Sequence, residues 1–540
     1  MFAAALAVLL SLSGIASAAA IHTDMSFSVK EIPNSAEGGF EPHVLAAPGV
    51  DGKEWIYVDS PTGLGAVATP GNLWASKDGG ATWEYLSANR PPTTAGSGDS
   101  YTAVSSEGYI YETDLWLATA TVETSKDGGV TWIQNPAASV YVADDRQWLV
   151  MGPTIGGLPV SPAQTVYFAF NQIPAGLVMV KSYVTDDALV WIPCNNGQPI
   201  TQSVGSRDYF AIDQKDGTIY MPNAGDNSVY VSSDGGSSFT SYPLEGMKQN
   251  IFVSVDVDSA GNVYVAWTDQ ADMYVAVSND KAKTWKTHMI TDTLGTRVLP
   301  WVTAGDAGMI GLTWYETLDE GESDYLDTSV WNLTAAVCVD ALSDNPTFYI
   351  TTVQNEVHKG TISTGGLGGA ADRDLGDFFT CDVDKDGKLI MVYGNDWKDK
   401  GASNSRQSFV MFGKQMEGPF LKESGIETNF TYSPASPVIG DQVKFTDTSS
   451  AANATISGWL WEFGDGKNST EQNPTHTYST AGKYDVTLAV TDNNGRSDLT
   501  TKQITVKSTS GNTNGATPGF ETLALLAGIL IACIAGRAKR

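Results

Sequence analysis

The 540-residue chain is predicted to be all-β, assembled mainly from repeated four-stranded units. Three observations carry this. Its 15 Trp, 21 Tyr and 55 Gly suit pleated strands and tight turns better than helices. No interior stretch sustains a 3.6-residue apolar period. And one eight-residue phrase keeps returning: SKDGGATW from Ser76, SKDGGVTW from Ser125, SSDGGSSF from Ser232, and a worn SNDKAKTW from Ser278.

The phrase reads Ser-x-Asp-x-Gly-x-x-aromatic, a hairpin in miniature. Ser76, Ser125 and Ser232 open the three intact copies, and Gly80, Gly129 and Gly236 supply the positive φ of a tight turn. Asp78, Asp127, Asp234 and Asp280 can accept backbone N–H groups within the turn. Trp83, Trp132, Phe239 and Trp285 then anchor the following strand. This pattern resembles the Asp-box, or BNR repeat, of sialidase-like β-propellers. The resemblance implies a hairpin between the third and fourth strands of a blade, on the rim and away from the channel mouth. These residues would therefore be scaffold rather than catalyst.

At the N-terminus, residues 1–20 close on small residues after an apolar run, as a secretory signal does. Residues 25–418 hold the repeats. The first two boxes start 49 residues apart and the last two 46, and the 107-residue gap between Ser125 and Ser232 hides a unit whose degenerate hairpin lies near Asp186 to Trp191. Repeats of that length with four strands each describe propeller blades. Blades are expected to begin near His43, Tyr101, Trp148, Tyr209, Ile251, Val298 and Phe378. Seven blades are expected, with the six of sialidases as the alternative. The strand from Met25 to Ile32 is expected to pair with the last blade and close the ring.

From residue 428 to 507 the texture changes to strict period-2 alternation around GDG and DNNG turns, the pattern of a small immunoglobulin-like sandwich. Trp461, Phe463, Gly464, Asp465, Gly466, Pro474, His476, Tyr478, Gly482, Tyr484, Val486, Leu488 and Val490 give this stretch a strong resemblance to a polycystic-kidney-disease (PKD) domain. That resemblance implies a non-catalytic spacer or adhesion unit, with His476 a core or turn residue. Asn-x-Ser/Thr sequons stand at Asn332, Asn429, Asn453 and Asn468.

A flexible linker, residues 508–517, leads to Pro518-Gly519-Phe520, an apolar stretch and a basic end in residues 518–540. The plain reading is a C-terminal hydrophobic anchor helix. The segment also resembles the PGF-CTERM sorting tail of archaeal surface proteins. That implies removal by a sortase-like membrane enzyme and replacement by a lipid anchor. Either way the expected location is extracellular, tethered to the cell surface.

With 61 Asp plus Glu against 32 Lys plus Arg, the net charge of −29 repels phosphate backbones and argues against nucleic acid as a partner. Cys194, Cys338, Cys381 and Cys533 form no disulfide framework and no zinc spacing; a Cys338–Cys381 bridge and buried inert thiols are the two readings. No cofactor is expected. DVDKDG, with Asp382, Asp384 and Asp386, alternates acids like a calcium loop but sits where other repeats have a plain β-turn.

Chemistry is expected where loops enter the innermost strands. Arg146, Arg207, Arg297 and Arg373 precede those strands, and a ring of guanidiniums would clamp a carboxylate. Sialidases use an arginine cluster on their substrate carboxylate together with a Tyr–Glu nucleophile pair. Tyr315 and Glu316 are the matching candidates on an inner strand. The competing reading is inter-blade salt bridges, since Asp144, Asp145, Asp208, Asp372 and Asp374 flank these arginines. The sequence thus offers two main functions, with a structural component of the cell envelope as a third reading. One is a surface-anchored recognition or adhesion protein binding an extracellular glycan or a surface protein. The alternative is an exo-acting sialidase-like glycoside hydrolase on external acidic glycans.

Overall fold

The computed structural model describes residues 15–17, 19–22 and 25–508, apart from internal stretches at 36–39, 65–68, 93–95, 117–118, 136–143, 156–162, 173–174, 185–186, 188–189, 202–208, 249–251, 292, 365–370, 372, 398–407, 424, 452–454 and 494–496. They fall into two units, one running to Gly425 and the other beginning at Ile426.

The first unit is a propeller-like ring of seven antiparallel four-stranded sheets, met in chain order. Their innermost strands are His43–Pro48, Ser100–Val104, Asp144–Pro153, Ala211–Ile212, Ser254–Val257, Thr296–Ala304 and Thr380–Val383. Each innermost strand packs beside the next, and the seventh returns to the first. The seventh sheet takes its fourth strand from the other end of the chain: Ser26–Glu31 pairs with Phe409–Glu417. Two further short strands, Ile15–Ser17 and Ala19–His22, add in parallel to the outer strands of the fifth and sixth sheets. The expected signal segment falls partly on these strands and otherwise outside the described residues.

An innermost strand is a sheet edge, and its outward N–H groups need partners. At two seams the neighbouring sheet supplies them with side chains. Thr380 Oγ1 accepts Val44 N–H at 2.8 Å and Asp382 Oδ2 accepts Ala46 N–H at 2.7 Å. Between the fifth and sixth sheets, Ser254 Oγ accepts Val302 N–H at 3.0 Å and Asp256 Oδ2 accepts Ala304 N–H at 2.7 Å.

The four boxes occupy the hairpins between the third and fourth strands of the first, second, fourth and fifth sheets. Their geometry is common. In the first, Asp78 Oδ1 accepts Ser76 O–H at 2.9 Å and Thr82 N–H at 2.8 Å, while Ser76 Oγ accepts Gly80 N–H at 2.8 Å. The worn copy repeats this through Asp280, Ser278, Thr284 and Ala282. There Lys281 (φ 63°) and Ala282 (φ 64°) hold the left-handed positions that glycines hold elsewhere. The degenerate hairpin lies between Gly176–Tyr183 and Ile192–Pro193, partly outside the described residues.

The second unit is a β-sandwich. A sheet of Phe430–Ser433, Gln442–Asp447 and Thr475–Thr477 faces a four-stranded sheet centred on Ile456–Glu462 and Gly482–Asp492. Phe430, Phe445, Trp461, Phe463, Val486, Leu488 and Val490 form its core, the alternation placing every second residue inside. His476 stacks on Phe463 at 4.1 Å and its Nε2 meets Asp465 Oδ2 at 2.9 Å, so it is a turn-and-core residue.

Cys194, Cys338 and Cys381 are buried free thiols, which removes the Cys338–Cys381 bridge. Burial pushes the Cys194 thiol up to about 12, far from thiolate chemistry. Among the described residues no helix is long and apolar enough to cross a membrane. The linker beyond residue 508, Cys533 and the expected anchor helix with Pro518, Gly519 and Phe520 lie outside the described residues.

Candidate functional site

Two of the four arginines meet at the end of the ring where the innermost strands begin. A bulge between Asp145 and Gln147, with Arg146 at φ 50°, turns the Arg146 side chain across that end. Its Nη1 lies 2.8 Å from Glu41 Oε2 and 3.7 Å from Asp99 Oδ1, and its Nη2 lies 3.5 Å from Asp377 Oδ2. Arg373 joins the same network, 2.7 Å from Asp377 Oδ1 and 3.7 Å from Glu41 Oε1. Three carboxyls thus face two guanidiniums, which leaves one excess acid. Burial pushes Glu41 up to about 8, against the opposing pull of Arg146.

Arg297 belongs to a different group. Its guanidinium donates to the Ala271 carbonyl and to Thr293, the latter through the carbonyl at 2.9 Å and Oγ1 at 2.7 Å, while Nε lies 3.4 Å from Glu316 Oε2. Arg146 is 4% exposed and Arg297 2%, so neither presents a free fork to solvent. Arg207 lies outside the described residues. The expected four-arginine clamp is therefore replaced, for the three arginines seen, by two separate structural sets.

The expected Tyr–Glu pair does not form either. Tyr315 and Glu316 sit on Ile310–Thr317, the second strand of the sixth sheet rather than its innermost one, and alternation sends them to opposite faces. Tyr315 is fully buried, donates to the Gly394 carbonyl at 3.1 Å, and has its phenol raised well above the usual range by burial. Glu316 instead accepts Trp314 Nε1–H at 3.0 Å and Thr334 O–H at 2.9 Å.

Beneath Arg146 an aromatic plug closes the channel. Tyr101, Trp148 and Trp301 sit on innermost strands and Tyr209, Phe252 and Phe378 in the segments leading into three others, and Trp148 sits amid the other five with centroid distances of 5.1 to 6.2 Å. The guanidinium of Arg146 rests over Phe378 at 4.8 Å and Phe252 at 5.0 Å, a cation–π contact. Several of these aromatics were legible as the first residue of a blade, but their convergence was not.

On the other side of the plug lies a cavity of about 480 Å³, lined by all seven innermost strands. Asp256 and Asp382 line it, as do Tyr101, Tyr209 and Trp301. The Tyr101 and Tyr209 rings lie side by side there, centroids 5.8 Å apart. Burial pushes Asp256 up to about 7 and raises Asp382. The three acids of the calcium-like stretch diverge. Asp382 reaches Ala46, Asp384 holds Lys414 Nζ at 2.8 Å and the Lys388 N–H at 2.9 Å, and Asp386 meets Lys385 at 2.7 Å. That is a β-turn, and among the described residues no group of three or more His, Cys, Asp or Glu is placed to hold a metal ion.

Comparison with known proteins resolves one unit. The family model described as "PKD domain" matches residues 432–507. That segment is a PKD domain. Over 70 residues the chain is 49% identical to the pre-pro-metalloprotease PrtV of Vibrio cholerae, covering 13% of this chain and 7% of that protein. It is 30% identical over 121 residues to the collagenase ColA of Bacillus cereus, covering 22% of this chain and 12% of that one. The chain thus spans about a tenth of the length of these curated relatives. Among solved structures, the PKD1 domain of Vibrio cholerae PrtV is 41% identical, covering 15% of this chain and 94% of that one at a TM-score of 0.14. A Niastella koreensis GH74 enzyme is 14% identical, covering 88% of this chain and 74% of that one at a TM-score of 0.43. A Hadza microbial sialidase is 14% identical, covering 59% and 66% at a TM-score of 0.36. In the second unit the sequons Asn429 and Asn468 are exposed, Asn332 of the ring is half-buried, and Asn453 lies outside the described residues.

Proposed function

We propose that the chain is an extracellular, cell-surface-anchored recognition or adhesion protein, in which residues 25–418 form a seven-bladed sialidase-like propeller and the PKD domain serves as its stalk. The observation that carries this reading is the fate of Arg146 and Arg373. Their two charges are matched by Asp99 and Asp377, with Glu41 as the excess acid beside them, above a packed aromatic plug, an arrangement that rigidifies the ring and offers no bidentate clamp to a sugar carboxylate. A glycan or a surface protein is the intended ligand, held without turnover. The signal segment would export the chain. The PGF tail would be cut by a sortase-like membrane enzyme and exchanged for lipid, or else remain as the anchor.

The full-length chain applied to an immobilised glycan array, with parallel assays on fluorogenic glycosides, tests this reading. Saturable binding with no sugar released is the expected result. Release of sugar would replace it with the sialidase-like hydrolase. Mass spectrometry of the native surface protein reads the tail, which is expected to end at or before Phe520 and to carry a lipid mass.

A further inference from the structure

The cavity beyond the plug has a chemistry of its own. Its lining contains two carboxyls and no Lys or Arg among the described residues. His43, also in the lining, is turned to Asp59 by a 2.8 Å contact from Nδ1 and stacks on Tyr101 at 3.7 Å. Asp256 and Asp382 each spend part of their acceptor capacity on two backbone N–H groups, from Val257 and Ala304 and from Val383 and Ala46. A carboxylate has about four lone-pair sites, so each retains acceptor capacity beyond those two bonds. The cavity is blind at the plug, and Pro48, Ser106 and Gln214 at its other end are exposed.

The plug already holds one cation. Arg146 lies against Trp148, Phe252 and Phe378 on the first side, while Tyr101, Tyr209 and Trp301 line the second. We infer that this second side is a socket for an alkylammonium group, with Tyr101, Tyr209 and Trp301 as its aromatic floor and Asp256 and Asp382 as its anionic wall. Aromatic faces attract a desolvated ammonium, and two carboxylates in a lining whose described residues include no Lys or Arg supply the charge it needs, with Lys422 acting on Asp382 from outside that lining. A metal ion fits less well, because among the described residues two carboxyls face the space and both are pinned to backbone. Burial raises the Asp256 carboxyl to about 7, so its charge is available to a cation only above that pH.

This deepens the recognition reading and rests on it, yet the two fail separately: the array tests glycans and the titration below tests amines. The full-length chain in HEPES buffer at pH 8 is titrated calorimetrically with 1,5-diaminopentane, with a short peptide bearing one lysine, with 1-pentanol and with calcium chloride. Saturable binding of either amine and none of the alcohol is expected. Tighter binding of the peptide would identify the source as a protein, and equal or tighter binding of the diamine would identify a free amine. The pair Asp256→Asn and Asp382→Asn should weaken binding at least about tenfold, the scale of losing charge-assisted contacts. Should that pair fail to fold, Gln214→Lys sets a cation at the exposed opening without touching either carboxyl and should weaken binding similarly. No saturable amine binding, binding of calcium alone, or amine affinity unchanged in Gln214→Lys would overturn the inference.

Discussion

Asp382 reaches from the seventh sheet to the first, where its carboxylate accepts the Ala46 N–H at 2.7 Å. The ring closes there, between strands 336 residues apart in the chain. Asp256 and Ala304 repeat the contact between the fifth and sixth sheets. Both contacts solve one problem, the unpaired edge of an innermost strand, with a side chain instead of a further strand.

Asp382→Ala leaves the Ala46 and Val383 N–H groups without partners at the closing seam. It should cost the ring about 2–6 kcal/mol, since each stranded donor shielded from water costs about 1–3 kcal/mol. Asp386→Ala, which removes a surface ion pair to Lys385, should cost under about 1 kcal/mol. Urea denaturation followed by Trp fluorescence separates the two.

The boxes predict a contrast between glycines and their replacements. Gly80 has φ 94°, and an added Cβ would sit 2.2 Å from the Phe412 ring. Gly80→Ala should therefore cost about 2–4 kcal/mol through strain and overpacking together. Ala282 already occupies the matching position of the fourth box at φ 64°, so Ala282→Gly should stay within about 1 kcal/mol of the parent, relief of strain offsetting the lost methyl. Calorimetric midpoints of the two variants measure this.

Glu41 gives a pH signature. Its folded value, about 8, lies above its unfolded value, so its contribution to stability is whole below about 4.5 and fades as pH rises through 8. Glu41→Gln mimics the protonated acid and removes that dependence. The variant should gain on the parent between pH 5 and pH 9, as read from urea midpoints. Asp78 acts in the opposite direction. Its Thr82 hydrogen bonds hold it down at about 2, so its contribution is present above the ordinary Asp value and lost as pH falls toward 2.

Arg146→Met strips the partner from a buried acid cluster and should cost about 3–5 kcal/mol, whereas Glu41→Gln at pH 6 should cost under about 1 kcal/mol because the acid is already protonated there. Equal losses in the two variants would mean that Glu41 is ionised.

How far the sequence reached depended on distance along the chain. Hairpins were legible because the box residues from Ser76 to Trp83 make their contacts within a few positions, and the PKD domain because Val486, Leu488 and Val490 alternate locally. The ring itself followed from counting such units. The partners of Arg146 were not legible. Its acids at the mouth lie far off in the chain: Glu41 is 105 residues away and Asp377 231. Tyr315 and Glu316 were misread for a simpler reason: adjacency along a strand separates side chains rather than pairing them. The aromatic plug was spread over six repeats, one residue from each, on or just before the innermost strand.

Whether the arginine-bearing end of the ring is scaffold or active site is decided by sialoside turnover in the full-length chain, with melting followed in parallel for Arg373→Ala and Arg146→Met. If the arginines are scaffold, no sialic acid is released, and both variants melt below the parent, Arg146→Met by the larger margin. Turnover by the parent that Arg373→Ala abolishes at an unchanged melting temperature would contradict it.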